Sequence, residues 1–521
     1  MVKKLALLAL VAVLALSLLP GCLFRGCQRE TAIGPRGPAE QYGGVWHGAI
    51  GSEPSTLDPA FAVTILDSSI TSLLYNGLVR FDSSGAVVGD LAKEWKVSSD
   101  GLTYTFYLHQ KVKFSNGREL TAADVKYTLE RLADPATASP RSWVVSAVTG
   151  IETKGKYEVR IKLKEAHAPF LSLLAMPAGY IVDRQSVGRG GFPVGSGPFV
   201  LTEVVPNERL VFQVNKEYFA GRAFLDGIVY HIVGDSVEQA AMFEAGNLHS
   251  IKVSGGYVDR FRANQRYSSL MLSQPSLSVN YICLNTAVAP FNDVRVRQAL
   301  NYAVDRQLLV DRFLPGQAVV ANSPIPPGLL GEVSQATAYL HNINRAKELL
   351  REAGYPRGFT VDLIQRSTRN AVTQTIAEML GKIGVKVRIR TLGKDEFFRA
   401  VGPSGDFQMA YLNWLADYPE ASNFLWPLFH SANIGDGGNR ARLTSQPLDS
   451  LIEQALATVD AAARTELYRQ VEAKVIEEAP WVFLYHPVEW MVYQPEVRGM
   501  VPFLIPMADK MTDVWLAKKT S

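Results

Sequence analysis

FTVDLIQRSTRNAVTQTIAEMLGKIGVKVRIRT, residues 359–391, decides the class of the fold. Phe359 to Gln365, the helical pattern from Ala371 to Ile383, and Val385 to Thr391 read as strand, helix, strand. Such a crossover implies a parallel pair of strands with a helix laid over them, and so a mixed α/β chain. Upstream, the spacing predicts a helix from Asn342 to Gly354, stopped by Pro356, and another from Val294 to Phe313 that Asn292 or Asp293 caps. Downstream, Leu448 to Ala479 holds two amphipathic helices, and Trp481 to Tyr485 is an apolar strand.

The first half of the chain repeats this mixture. Tyr104, Phe106 and Leu108 alternate with Thr103, Thr105 and Tyr107, and Asn116-Gly117 supplies turn chemistry. Thr121 to Asp124 has capping-box spacing, with Val125, Leu129 and Leu132 following on one helical face. Tyr157 to Lys164 reads as a strand burying Val159, Ile161 and Leu163.

At the N-terminus, Lys3 and Lys4 precede an uncharged run from Leu5 to Leu19 that stops at Pro20-Gly21-Cys22. That layout predicts an export signal over residues 1–21, since a spanning helix needs about 20 apolar residues. Residues 22–44 are rich in Gly, Pro and Arg and predict a flexible spacer. Removing the signal takes two lysines from a formal charge of +3, a near-neutral balance that excludes nucleic acid as a partner class. Three cysteines are too few for a disulfide framework in a chain of 521 residues. Cys283, within an apolar run, is expected to be a small core residue. Single cores stop growing at about 250 to 300 residues, so two or more lobes are expected.

The segments LAKEWKVSSDGLTYTFYLHQKVKFSNGRELTAADVKYTLERL (91–132), PVGSGPFVL, FNDVRVRQALNYAVDRQLLV and NRAKELLREAGYPRGF resemble those of bacterial family 5 solute-binding proteins of ABC importers. The resemblance implies a periplasmic-binding-protein-like fold of cluster C. Two large lobes would be joined by a two-crossing hinge, with a smaller extra domain and a ligand enclosed between the lobes. In this numbering, lobe I would comprise 45–80, 188–280 and 486–521, the extra domain 81–187, and lobe II 281–485. LLPGC resembles a lipobox, which implies acylation of Cys22 and a lipid anchor in the cell envelope. That places the chain on the outer side of the cytoplasmic membrane or in a periplasm. The implied partners are an oligopeptide and a membrane permease with its ATPase; the chain is expected to be a monomer without cofactor, and not an enzyme.

Residues 413–420, NWLADYPE, resemble the W-x-A-D-Y segment of oligopeptide binders, where the aspartate pairs with the peptide's α-amino group. One placed carboxylate then recognises every unblocked peptide without reading its side chains. Spacing alone favours the plainer reading, in which Asp417 caps a turn before Pro419 and faces water; the matched segment reverses that preference. Main-chain pairing to a peptide would use Asn413, Trp414 and Leu415 on one side and the run from Ser52 to Leu57, with Glu53 and Ser55, on the other. Trp414, Tyr418 and Tyr485 are expected to wall side-chain pockets or to pack in the core. Arg366 and Arg369 are candidates for a peptide carboxylate, because guanidinium matches it bidentately.

No catalytic pattern is visible. Ser196, in Gly195-Ser196-Gly197-Pro198, lacks the glycine spacing of a nucleophile elbow and reads as a tight turn. The eight histidines form no helical metal pair, although His430 could meet a nickel complex if distant residues converge. The same scaffold binding an oligosaccharide or chelated nickel is the alternative to peptides.

Overall fold

A computed structural model describes residues 37–518 apart from 190, 330–338, 368–369 and 436. The expected export signal, Cys22, most of the spacer and Arg369 lie outside the described residues. Among the described residues no helix is long and apolar enough to cross a membrane.

Three sheets organise the chain. The first orders Val45–Ile50, Gly227–Ile232, Arg209–Val214 and Phe199–Val205, with only the first pair parallel. The second is antiparallel, in the order Ala92–Val97, Thr103–Leu108, Glu158–Leu163, Val148–Lys154. Its alternation is the one read from the sequence, with Tyr104, Phe106, Val159 and Ile161 buried. The helix Ala122–Ala133 covers it, and Asp124 accepts the Thr121 amide at 2.9 Å as the capping-box spacing predicts.

The third sheet has eight strands and joins the two lobes. Ser278–Leu284 lies between Met409–Leu415 and Trp481–Tyr493. Thr360–Gln365 and Lys386–Thr391 extend it as a parallel pair, with Ala371–Gly381 between them in the chain, as residues 359–391 predict. Trp481–Tyr493 belongs to both halves of this sheet. Its first half pairs with Ser278–Leu284 and its second with Met271–Pro275 and Ser250–Val253. The two halves of this sheet are thus connected twice, side by side, at 276–277 and around His486–Val488, the Ser276 amide donating to Pro487 O at 2.9 Å.

One helix expectation is corrected. The run from Val294 to Phe313 is two helices, Val294–Ala303 and Arg306–Phe313. Asp305 accepts the Leu308 amide at 3.0 Å and starts a new helix, so Val304 is extended although the apolar spacing runs on. Ser196 is buried and donates to Asn76 Oδ1 at 3.2 Å, a structural role. Beside it a Cβ at Gly197 would meet Leu73 O at 2.4 Å. Gly197→Ala is therefore expected to lower stability by about 1–3 kcal/mol, read as a lower melting temperature.

His486 sits at the second passage, 3 % exposed, with Nδ1 3.0 Å from Ser278 O. Burial pushes its imidazole down to about 4, against a smaller opposing effect of that hydrogen bond. The folded state resists the proton, so this group's contribution is intact above the ordinary value near 6.5 and is lost as pH falls towards 4, by about 3 kcal/mol. Asp509 works oppositely: burial raises it to about 6, so acid relieves it over nearly the same range. His486→Gln is expected to make the melting temperature fall less between pH 7 and pH 4 than in the parent protein; parallel pH profiles would refute this assignment.

Candidate functional site

The site begins with an unequal pairing. Ser278–Leu284 accompanies Met409–Leu415 along its whole length, from Ser278 opposite Leu415 to Leu284 opposite Met409. On the other side Thr360–Gln365 reaches only Met409 and Ala410. The backbone from Tyr411 to Leu415 consequently has no strand partner on that side among the described residues, an open edge able to accept another extended chain.

Beyond Leu415 the chain turns. The Ala416 amide donates to Leu277 O at 2.9 Å. Asn423, from the helix Ser422–Phe429, accepts the Asp417 amide on Oδ1 at 3.0 Å and the Trp414 indole N–H on its carbonyl at 3.0 Å. This clamp fixes the direction of Asp417. Its Oδ1 accepts Arg141 Nη1 at 2.9 Å, with the side chains 30 % and 12 % exposed respectively. Arg141 also donates to Ala62 O at 3.3 Å and Val63 O at 3.2 Å. Asp417 Oδ2 accepts no hydrogen bond among the described residues.

The neighbouring positions divide. Asn413 is exposed and Leu415 half-buried beside the open edge. Tyr418 is buried with its hydroxyl 3.1 Å from Ser422 Oγ, and it lines a cavity of about 660 Å³ with Trp143, His167 and Trp426. Tyr485 is buried; its hydroxyl lies 2.7 Å from that of Tyr411, which donates to Asn280 Oδ1 at 3.3 Å. This cluster ties Ser278–Leu284, Met409–Leu415 and Trp481–Tyr493 together. Arg366 is exposed at the end of Thr360–Gln365, its guanidinium 5.2 Å from the Phe398 ring centre and without a carboxylate partner among the described residues.

The run Ser52–Leu57 sits differently from an open peptide edge. The Ser55 amide and hydroxyl both donate to Asp67, each at 2.7 Å, and the Glu53 carboxylate accepts the Asn207 amide. Glu53 and Ser55 line a hollow of about 360 Å³ with Phe192 and Pro193. The link from this region to Asp417 runs instead through Arg141 at Ala62 and Val63.

Sequence reasoning missed Arg141, Asn423 and the buried carboxylate of Glu420. Glu420 is held by Arg464 at 3.1 Å, Tyr468 at 2.8 Å and, from 248 residues upstream, Ser172 at 3.4 Å. Asp417 and Asn423, six residues apart, have the spacing of a turn closed by a helix start, a signal that was available; Arg141 offers none. His430 is buried with Nε2 3.2 Å from Glu453 Oε1, and among the described residues no three His, Cys, Asp or Glu side chains converge to hold a metal. Cys283 is fully buried and burial pushes its thiol well up, which suppresses the nucleophilic thiolate.

Comparison with known proteins matches this architecture. The chain is 32% identical over 463 residues to heme-binding protein A of Haemophilus influenzae, covering 82% of this chain and 84% of that one. It is 30% identical to the glutathione-binding protein GsiB of Escherichia coli, covering 83% and 87%. The periplasmic binding protein DppA of Helicobacter pylori, solved with the peptide STSA, superposes with a TM-score of 0.77 at 27% identity over 92% of this chain and 99% of that one. Residues 86–436 match the family described as bacterial extracellular solute-binding proteins, family 5. The chain belongs to that family, whose members serve ABC importers by binding the solute.

Proposed function

We propose that this protein captures oligopeptides with a free amino terminus and delivers them to a membrane permease. The carrying observation is the strand edge from Tyr411 to Leu415, open among the described residues, which ends beside a carboxylate with one oxygen unengaged by any of them. A peptide laid along that edge gains main-chain hydrogen bonds regardless of its side chains, and its ammonium meets Asp417 Oδ2 at the end of the run. Arg366, without a carboxylate partner among the described residues, is the cation for the peptide's far end. The DppA relative was solved holding a peptide, and GsiB is named for a tripeptide, which supports this ligand class. The lobes divide as 45–80, 188–280 and 486–521 against 281–485, with 81–187 as the extra domain, and Cys22 carries lipid.

The Arg141–Asp417 pair favours a second reading, in which the anchor carboxylate is already neutralised and the solute has no ammonium group, such as an oligosaccharide or a metal chelate. Native mass spectrometry of protein purified without refolding separates the two. Carried-over peptides give a heterogeneous set of added masses, whereas a single added mass that is no peptide would overturn the first reading.

A further inference from the structure

Three histidines that solute capture does not use meet beside the first sheet's parallel pair, two of them on its strands. His47 lies on Val45–Ile50 and His231 on its parallel neighbour Gly227–Ile232. His47 stands opposite Val229 and Ala49 opposite His231, so the two imidazoles share one face, diagonally offset by two residues. His47 Nδ1 and His231 Nε2 are 3.1 Å apart, with ring centres 5.4 Å apart and planes 19° from parallel. His249 backs the pair: its Nδ1 accepts the His47 amide at 2.8 Å, its own amide donates to His47 O at 2.8 Å, and its ring stacks on Trp46. The three residues are half-buried, within reach of solvent. Burial holds His47 and His231 below the ordinary imidazole range, reinforced by His231 for the first and by Arg209 for the second. Both are neutral at pH 7, the form that ligates metals.

We propose that His47 Nδ1 and His231 Nε2 form a two-nitrogen site for a divalent transition-metal ion of the Cu²⁺, Ni²⁺ or Zn²⁺ class. With metal–nitrogen bonds of about 2.0–2.1 Å, two adjacent ligand atoms on one ion lie roughly 3 Å apart, which is the separation already present. The χ2 torsion of histidine is soft, so a modest rotation of each ring turns both lone pairs to a common point. The proton now shared between the rings moves to the far nitrogen of one of them; each imidazole keeps one proton and none is released. Because no third His, Cys, Asp or Glu side chain converges among the described residues, water fills the remaining positions. The ion is then a cross-strand staple between Val45–Ile50 and Gly227–Ile232, its one sheet neighbour among the described residues. Imidazole pairs rank these ions with Cu²⁺ strongest, which makes it the probe.

The test is titration of metal-stripped full-length protein with Cu²⁺, followed by electron paramagnetic resonance. One equivalent is expected with coupling to two nitrogens. His47→Gln and His231→Gln are each expected to weaken binding by at least about tenfold, since loss of a mere supporting contact to a ligand already costs about that much. Binding should also weaken progressively as pH falls, because protons compete with the ion for the imidazole nitrogens. Melting curves in EDTA verify that both variants fold, and should one fail to, the pH dependence of the parent protein's two-nitrogen signal decides. Absence of bound Cu²⁺, or a signal unchanged in both folded variants, would overturn the proposal.

Discussion

Replacing Asp417 by Asn is expected to remove most of the rise in melting temperature that an unblocked peptide confers. A peptide at about 100 times its Kd stabilises the folded state by about 2.7 kcal/mol. Removing one partner of a hydrogen-bonded charge pair at an interface costs about 2–5 kcal/mol, or about 30-fold and upwards in Kd, so little of that stabilisation survives at the same peptide concentration. N-acetylation of the peptide deletes the other partner and should reproduce the loss in the parent protein. The role of Arg141 is read from Arg141→Met. If Arg141 only orients the carboxylate, leaving Oδ2 for the ligand, peptide binding weakens modestly; if the guanidinium competes for Asp417, binding tightens. Equal affinity for peptide and acetylated peptide would remove the amine anchor from the account, leaving the importer role intact.

The second large effect concerns stability. Arg464→Met strands Glu420, whose side chain is 6 % exposed against 12 % for the arginine. Burial raises the Glu420 carboxyl, and Arg464 with the hydrogen bonds of Tyr468 and Ser172 opposes that rise. Without the guanidinium an uncompensated buried charge remains, at a cost of about 3–5 kcal/mol. The double variant Glu420→Gln with Arg464→Met is expected to recover most of the loss, because a neutral amide still satisfies Tyr468 and carries no charge to desolvate. Acid has a defined sign here. In Arg464→Met the folded carboxyl binds its proton more readily than the unfolded one, so the deficit is full at neutral pH and shrinks as pH falls. Melting temperatures of the three proteins at pH 7 and pH 5 check both statements. An Arg464→Met protein as stable as its parent would mean that Glu420 is already protonated.

Much of the fold was legible because its signals are local. Thr121 and Asp124, the alternation through Tyr104 and Phe106, and the strand–helix–strand run of 359–391 are each decided within a few residues. The break at Val304 was missed because apolar spacing continues across it, while the cap that decides it is one carboxylate on Asp305. At the site, NWLADYPE led to a turn that follows an open edge. What was not legible is the partner of Asp417, since Arg141 lies 276 residues away and no periodicity marks it. Ser55 shows the same limit. Asp67 forms a capping box with Thr64, visible as spacing, yet it also takes both donors of Ser55 twelve residues upstream.

The strand Trp481–Tyr493 has a consequence for how such a chain tolerates change. Side chains alternate faces along a strand, so inserting or deleting one residue inverts every side chain beyond the lesion. In most strands the damage stays within one packing unit. Here thirteen consecutive residues serve both halves of the molecule, so a frame error near Trp481 carries through the first set of pairings into the second and misplaces partners in both halves at once. Length variation among relatives should therefore be absent from this stretch and collect in the connecting loops.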